Sequence, residues 1–433
     1  MQTSRRTVLI VMCAGYFLVL LDVTIVNVAL PKIGSGLAAG VGGLQWVVDG
    51  YALMLAALML AGGTIGDLYG HKRIVLAGLA VFGAGSLGCG LAPAAGALVG
   101  FRVAQGAGAA LMLPGTLAVI SDAYPNGEER ARAIGIWAGI GSAALPAGPL
   151  LGGALTEAVG WRAVFFVNVP IVIVAIALAA RAVHESSDRR TGGLDVTGVV
   201  LAGAALALLT FAFIQAGHGG LRPLVLGAAA VAIALAAAFI GVERSREHPM
   251  LPLELFRCGD FAAANSVAGA MNLSVLDTAG AALVVSQFTL YLQDVRHHSA
   301  LVAGLALFPL FLPLSLIAPF SGRMTARVGS RRPMVIGLLL AAAGTALFVA
   351  VNADSSYLTL LPALLMLGSG LGVLTPAVVA AAIGAVPGDR AGLASAVNNT
   401  ARQACGAIGI AAFGALAGDP FGHGFVPGMP PLR

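Results

Sequence analysis

The sequence predicts an all-α integral membrane protein of about 13 transmembrane helices. Three observations carry this. Charged residues make up only 10% of the 433, against roughly 25% in an ordinary soluble protein. Hydrophobic residues reach 58% and the mean hydropathy is +0.93. The apolar material falls into stretches of about 20 residues, the length that crosses a bilayer as a helix. Continuous apolar runs exclude the alternating pattern of a membrane β-barrel.

The predicted crossings are about 7–30, 44–66, 73–92, 97–122, 130–155, 161–182, 195–216, 222–243, 260–292, 300–322, 333–352, 356–384 and 391–417. The first runs on to Leu30 and Pro31, too long for a signal-peptide core, so no cleavable leader is expected. With the N-terminus in the cytoplasm, 17 of the 24 Lys and Arg residues fall in inside connections, 5 outside and 2 within helices. Such a bias sets the N-terminus inside. The formal charge of +5 lies in short loops rather than one patch, which argues against nucleic acid as a partner. Cys13, Cys89, Cys258 and Cys405 show no metal or disulfide spacing, and neither metal nor cofactor is expected.

The chain repeats itself. Gly63–Gly70 with Arg73 recurs as Gly322–Gly329 with Arg332 at an offset of 259. Gly106, Gly108 and Pro114 recur as Gly368, Gly370 and Pro376 at an offset of 262, and Arg130-Ala131 recurs as Arg390-Ala391 at 260. Three matches in one order predict two related six-helix halves, 1–183 and 260–433, with two helices inserted at 184–259. Parallel repeats of this kind are a transporter signature, with the substrate path between the halves. The sixth crossing implies a partner near 421–442, yet 421–433 is short and rich in Gly and Pro. The expectation is therefore five helices in the second half, no fourteenth crossing, and a C-terminus outside the cytoplasm.

The connection after the second crossing reads Gly63-Thr64-Ile65-Gly66-Asp67-Leu68-Tyr69-Gly70-His71-Lys72-Arg73. Its glycines permit a tight turn between two helix ends, and its basic residues hold that turn inside. Here the chain resembles the major facilitator superfamily, whose loop motif has this spacing. Leu21-Asp22 through Thr24, Asn27 and Pro31 is similar to the first-helix signature of the superfamily's 14-helix drug:proton antiporters. Arg102-Val103-Ala104-Gln105-Gly106-Ala107-Gly108 resembles the embedded arginine motif. Gly139, Gly141, Gly148-Pro149 and Gly152-Gly153 resemble the antiporter motif, and Trp161-Arg162 through Asn168-Val169-Pro170 the start of the sixth helix. Trp46-Val47-Val48-Asp49-Gly50-Tyr51 looks like the methylenomycin-resistance type of exporter. The resemblance spans about 7–418. It implies a major facilitator fold and export of small amphiphilic drugs or antibiotics against protons.

Two departures stand out. His71 occupies a position where the family carries Arg or Lys, and Ala326 replaces the loop aspartate in the second copy.

Ionisable groups inside lipid are costly and are functional candidates by default. Asp22, Asp49, Asp277, Arg102 and Arg402 all fall within apolar segments, and no Glu does. A carboxyl beside an arginine can load and release a proton, and Asp22 with Arg102 is one such pairing. Proton coupling is expected of these five. Cargo contact is expected of Asn27, Trp46, Tyr51, Gln287, Tyr291 and Asn398, and gating of Gly63, Asp67, Gly70, His71, Lys72 and Arg73. The bend at Pro146 and Pro149, with Gly148, Gly152 and Gly153, would favour antiport, as the resemblance implies. No HExxH, nucleophile elbow or phosphate loop supports an enzyme. The remaining alternatives are a symporter or uniporter of the same fold, or a shortened relative that does not transport.

Overall fold

A computed structural model of the chain describes residues 2–125, 127–183, 185, 195–219, 222–246, 253–273, 299–348, 357–386, 394, 397–402 and 405–406. Among them every regular element is helical. The first seven helices are α1 (Gln2–Leu37), α2 (Val41–Tyr69), α3 (His71–Leu91), α4 (Ala95–Ala123), α5 (Gly127–Ala158), α6 (Ala163–Phe166) and α7 (Asn168–Ala182). Then come α8 (Val196–Gly219) and α9 (Pro223–Ser245). A short 3-10 turn, Leu253–Arg257, leads into α10 (Gly259–Leu273). The series ends with α11 (Ala300–Ala306), α12 (Phe308–Val328), α13 (Arg331–Phe348) and α14 (Tyr357–Gly384), followed by helical residues at 397–402.

Among the described residues, seven helices are long and apolar enough to cross a membrane: α1 to α4, the α6–α7 pair, α9 and α14. The other predicted crossings correspond to α5, α8, α10, α11 with α12, α13 and the helical residues at 397–402. Two predicted crossings are each divided by one residue, and proline is the cause. Pro170 has no N–H to offer the Phe166 carbonyl, and the helix breaks at Val167. Pro309 likewise cannot bond the Leu305 carbonyl, and the chain tightens at Leu307, whose N–H reaches Gly304 O at 3.2 Å.

Small residues let the helices approach closely, and the second half repeats the first. A Cβ on Gly106 of α4 would collide with the Tyr51 carbonyl of α2. Its repeat mate Gly368 of α14 stands against the Leu310 carbonyl of α12 in the same way. Gly78 of α3 lies against Gly108 of α4, and Gly337 of α13 against Gly370 of α14. The sequence repeat is thus a repeat of backbone contacts, as close small-residue packing in lipid requires.

The halves meet through α5. Leu145 joins a buried cluster with Ala303, Leu307, Leu310 and Phe311. Gly304 of α11 sits so close to the Pro149 carbonyl that any side chain there would overlap it. This meeting point lies towards the end of the molecule opposite the Gly70 turn, because α5 ends at Ala158 and α11 begins at Ala300. At that same end Trp161 lies over Gly36, and Arg162 donates to the Ala92 carbonyl at 3.2 Å.

Candidate functional site

Four helices of the first half bring polar side chains to one point, and a fifth closes round it. Asp22 comes from α1, Ser86 from α3, Arg102 and Gln105 from α4, and Asn168 from α7; α2 adds the Val47 carbonyl and the Tyr51 ring. The five polar residues are at most 1% exposed. A charge in such a place is stable only if paired and hydrogen-bonded, and the arrangement supplies both.

Arg102 pairs with Asp22 through Nη1 and Oδ2. The same Nη1 donates to Gln105 Oε1 at 2.7 Å, and Nε donates to the Val47 carbonyl at 2.9 Å. The guanidinium carbon stands 4.3 Å from the Tyr51 ring centroid, a cation–π contact. The other carboxylate oxygen, Asp22 Oδ1, accepts from Gln105 Nε2 at 2.8 Å and from Asn168 Nδ2 at 3.3 Å. Ser86 Oγ accepts from the same two amides at 2.8 and 3.4 Å. The Tyr51 hydroxyl donates to the Val19 carbonyl at 3.3 Å, which fixes its ring below the arginine.

Asp49 presents the opposite case. It is 0% exposed, and neither carboxyl oxygen has a hydrogen-bond partner among the described residues. It lies one turn from Trp46, whose ring faces Phe211 of α8 at 6.3 Å. Two residues on, Tyr51 turns to the other side of α2, towards Arg102. One helix therefore separates a compensated carboxylate from an uncompensated carboxyl.

The other expected site residues fall elsewhere. Asn27 is buried and donates to the Val23 carbonyl of its own helix at 3.0 Å, and its Oδ1 has no partner among the described residues. Asn398 is buried in the second half and donates to Asn265 Oδ1 of α10 at 3.2 Å. Arg402 is half-buried in the helical residues at 397–402. Gly148 lies against the Thr24 side chain, Gly152 lies 2.7 Å, as measured from an added Cβ, from the Ile25 carbonyl, and Gly153 is buried. Those contacts join α5 to α1. Asp277, Gln287 and Tyr291 lie outside the described residues, and so does the side chain of Asp67.

The turn after α2 is held by a residue that the sequence does not single out. Gly70 has φ of 101°, a conformation that favours glycine, and its open side is filled by Glu185. Glu185 Oε1 accepts from the Lys72 N–H at 3.1 Å, and Oε2 stands 3.5 Å from Arg73 Nε. Lys72 Nζ donates to the Ala180 carbonyl at 2.8 Å. His71 is buried against Gly66, so packing contributes to its place in the turn. Gly63 has ordinary contact with Pro114.

The sequence does not single out Ser86 either, and it shows Gln105 and Asn168 only as members of motifs, because uncharged polar residues are common in apolar helices. The expectation that no Glu enters a crossing needs correction. Glu243 is 3% exposed in the last turn of α9, near Gly198, where Asp195 accepts the Gly198 N–H at 2.8 Å. The backbone of α8 folds over a carboxyl that looks terminal in the sequence. Among the described residues, no cluster of three His, Cys, Asp or Glu side chains has metal-ligand geometry.

Comparison with known proteins places this arrangement. The chain is 37% identical over 420 residues to the multidrug resistance protein Stp of Mycobacterium tuberculosis, covering 96% of this chain and 76% of that one. It is 34% identical to the methylenomycin A resistance protein of Streptomyces coelicolor (94% and 84% covered). It is 36% identical to the puromycin resistance protein of Streptomyces alboniger (97% and 84% covered). Among solved structures, a peptide transporter crystallised with sulfate matches with a TM-score of 0.66 at 15% identity, covering 94% of this chain and 92% of its own. A D-xylose–proton symporter matches at 0.65 and 13%, covering 94% and 89%. These two speak for the fold alone. The model of the Major Facilitator Superfamily matches residues 12–410. The all-helical architecture, its internal repeat and these matches agree: the chain belongs to the Major Facilitator Superfamily.

Proposed function

We propose that this protein exports small amphiphilic drugs or antibiotics across the cytoplasmic membrane in exchange for protons. The relatives named above support the cargo class, since all three are named as resistance proteins. The observation that carries the coupling is the contrast between Asp22 and Asp49. Asp22 has an arginine and two amides on its oxygens, so its negative charge is compensated in place. Among the described residues Asp49 has neither a cation nor a donor, so a charge there bears the cost of burial uncompensated by them. Asp49 is the group whose proton the protein carries, and the Asp22–Arg102 pair is the fixed charge that orders the first half around it.

The cargo path runs between the halves 1–183 and 260–433, with α8 and α9 as an inserted pair. The N-terminus and the Gly70 turn face the cytoplasm, as the distribution of Lys and Arg favours. With the halves meeting through Pro149 and Gly304, the path is shut towards the outside, and cargo enters from the cytoplasmic end. Asn27, Trp46, Asn398 and Arg402 are its proposed lining as the halves rock, while Tyr51 stays beneath Arg102. Apolar walls carrying few polar groups suit amphiphilic ligands of varied shape.

Expression in an efflux-deficient host, scored against a panel of antibiotics with and without a protonophore, tests the reading. Raised tolerance that the protonophore abolishes is expected. Unchanged tolerance to every compound, or tolerance indifferent to the protonophore, would contradict it.

A further inference from the structure

The two copies of the repeated loop differ in how their charges are met. The first, Gly63–Arg73, carries Asp67 against Lys72 and Arg73, for a formal charge of +1 with His71 neutral. Glu185 and the Ala180 carbonyl take up its two cations. The second, Gly322–Arg332, holds Arg323, Arg327, Arg331 and Arg332 with no acid, for +4. All four arginines are exposed, and none has a carboxylate partner among the described residues.

Their surroundings are apolar rather than aqueous in character. Leu312, Leu316, Phe320, Arg323 and Arg327 recur at intervals of three and four along α12, so they share one face. On that face Leu316 is 58% and Phe320 65% exposed, and the Arg323 guanidinium lies 5.8 Å from the Phe320 ring. On α13 the exposed Val335, Ile336 and Leu339 follow Arg331 and Arg332 at helical spacing. An outward apolar stripe ending in arginines is a surface that meets lipid chains along its length and lipid headgroups at its end. Two shallow grooves are cut there. One, of about 380 Å³, is lined by Phe320, Arg323, Met324, Arg327 and Val328. The other, of about 420 Å³, is lined by Arg331, Arg332, Val335 and Ile336.

We propose that the end of α12 and the start of α13 form a binding site for anionic phospholipid, with the four arginines on the headgroup phosphate and the apolar stripes along the acyl chains. Guanidinium groups suit phosphate because they offer paired donors in a fixed plane. Neutral phospholipid lacks the net charge that four arginines with no carboxylate partner among the described residues select. This inference is independent of the transported cargo.

The test is native mass spectrometry of the full-length protein released from vesicles of phosphatidylcholine mixed with phosphatidylglycerol. The parent is expected to keep phosphatidylglycerol in preference to phosphatidylcholine. A variant with R323Q, R327Q, R331Q and R332Q should lose that preference by at least ~10-fold, since each basic group near a membrane surface adds to anionic-lipid attraction. The paired variants R323Q/R327Q and R331Q/R332Q should each lose part of it, which keeps the test valid if the fourfold variant fails to fold. Neutralising the internally paired residues, K72Q/R73Q, should leave the preference intact. Soluble glycerol phosphate should displace no bound lipid. Undiminished preference in both paired variants would overturn the proposal. So would an equal loss in K72Q/R73Q, which would mark a general charge effect, or displacement by glycerol phosphate, which would mark a site for free phosphate.

Discussion

Arg102 of α4 and Asp22 of α1, eighty residues apart in sequence, form an ion pair from which solvent is excluded on every side. The arginine uses separate nitrogens for Val47 and for Asp22 with Gln105, and rests on the Tyr51 ring. Removing one partner of a buried pair strands the other, at about 3–5 kcal/mol. Arg102→Ala should therefore abolish transport and lower the thermal midpoint of the purified protein. Composition and charge alone suggest that Arg102→Lys keeps part of the function. The fork geometry revises this, since lysine lacks the planar guanidinium whose Nε and Nη1 meet Val47 and Asp22 from fixed, separate positions, and transport by Arg102→Lys should fall nearly as far as by Arg102→Ala. Uptake into inverted vesicles, normalised to protein in the membrane, checks both.

Gly304 stands against the Pro149 carbonyl, beside the Leu145 cluster, at the end where the proposed path is closed. Gly304→Leu should force α11 from α5 and leave that end open. In a background with the four native cysteines replaced, a cysteine at Leu145 should then react with a membrane-impermeant thiol reagent added outside. The same cysteine with Gly304 retained should react at least ~10-fold more slowly, as solvent access governs thiol reactivity.

Glu185 holds the Gly70 turn through an acceptor role and a half-exposed ion pair. Exposed pairs contribute about 0–1 kcal/mol, so Glu185→Ala should scarcely change overall stability. It should raise hydrogen exchange at the Lys72 amide. Glu185→Gln, which keeps an acceptor oxygen for that N–H, should exchange more slowly than Glu185→Ala.

Much of this was legible in the sequence because lipid leaves few choices. A run of apolar residues must be helical to satisfy its backbone, so the crossings could be read directly. The spacing of Gly106, Gly108 and Pro114 against Gly368, Gly370 and Pro376 announced contacts that recur in both halves. The cost of burying Asp22 and Arg102 likewise drew attention to both. Their uncharged partners gave no such signal. Ser86 and Asn168 are unremarkable in an apolar helix until Asp22 is placed beside them. Glu185 lies beyond α7, where a charged residue is ordinary, and its role depends on α3 starting beneath it. The breaks at Val167 and Leu307 required knowing which carbonyl each proline leaves unmet. The sequence puts Asp49 on the same footing as Asp22, and only the fold distinguishes a carboxyl with no partner among the described residues from one with three.

That distinction gives the most direct test of the proposed mechanism, the release of protons from loaded vesicles when drug is added. Asp49→Asn swaps an uncompensated acid for a neutral group of the same shape. It should leave the protein in the membrane at least as stable as the parent and still able to bind drug, with drug-driven proton release lost. Asp22→Asn, which strands Arg102, should instead lower stability and drug binding together. Proton release by Asp49→Asn equal to that of the parent would contradict the assignment of the carried proton to Asp49.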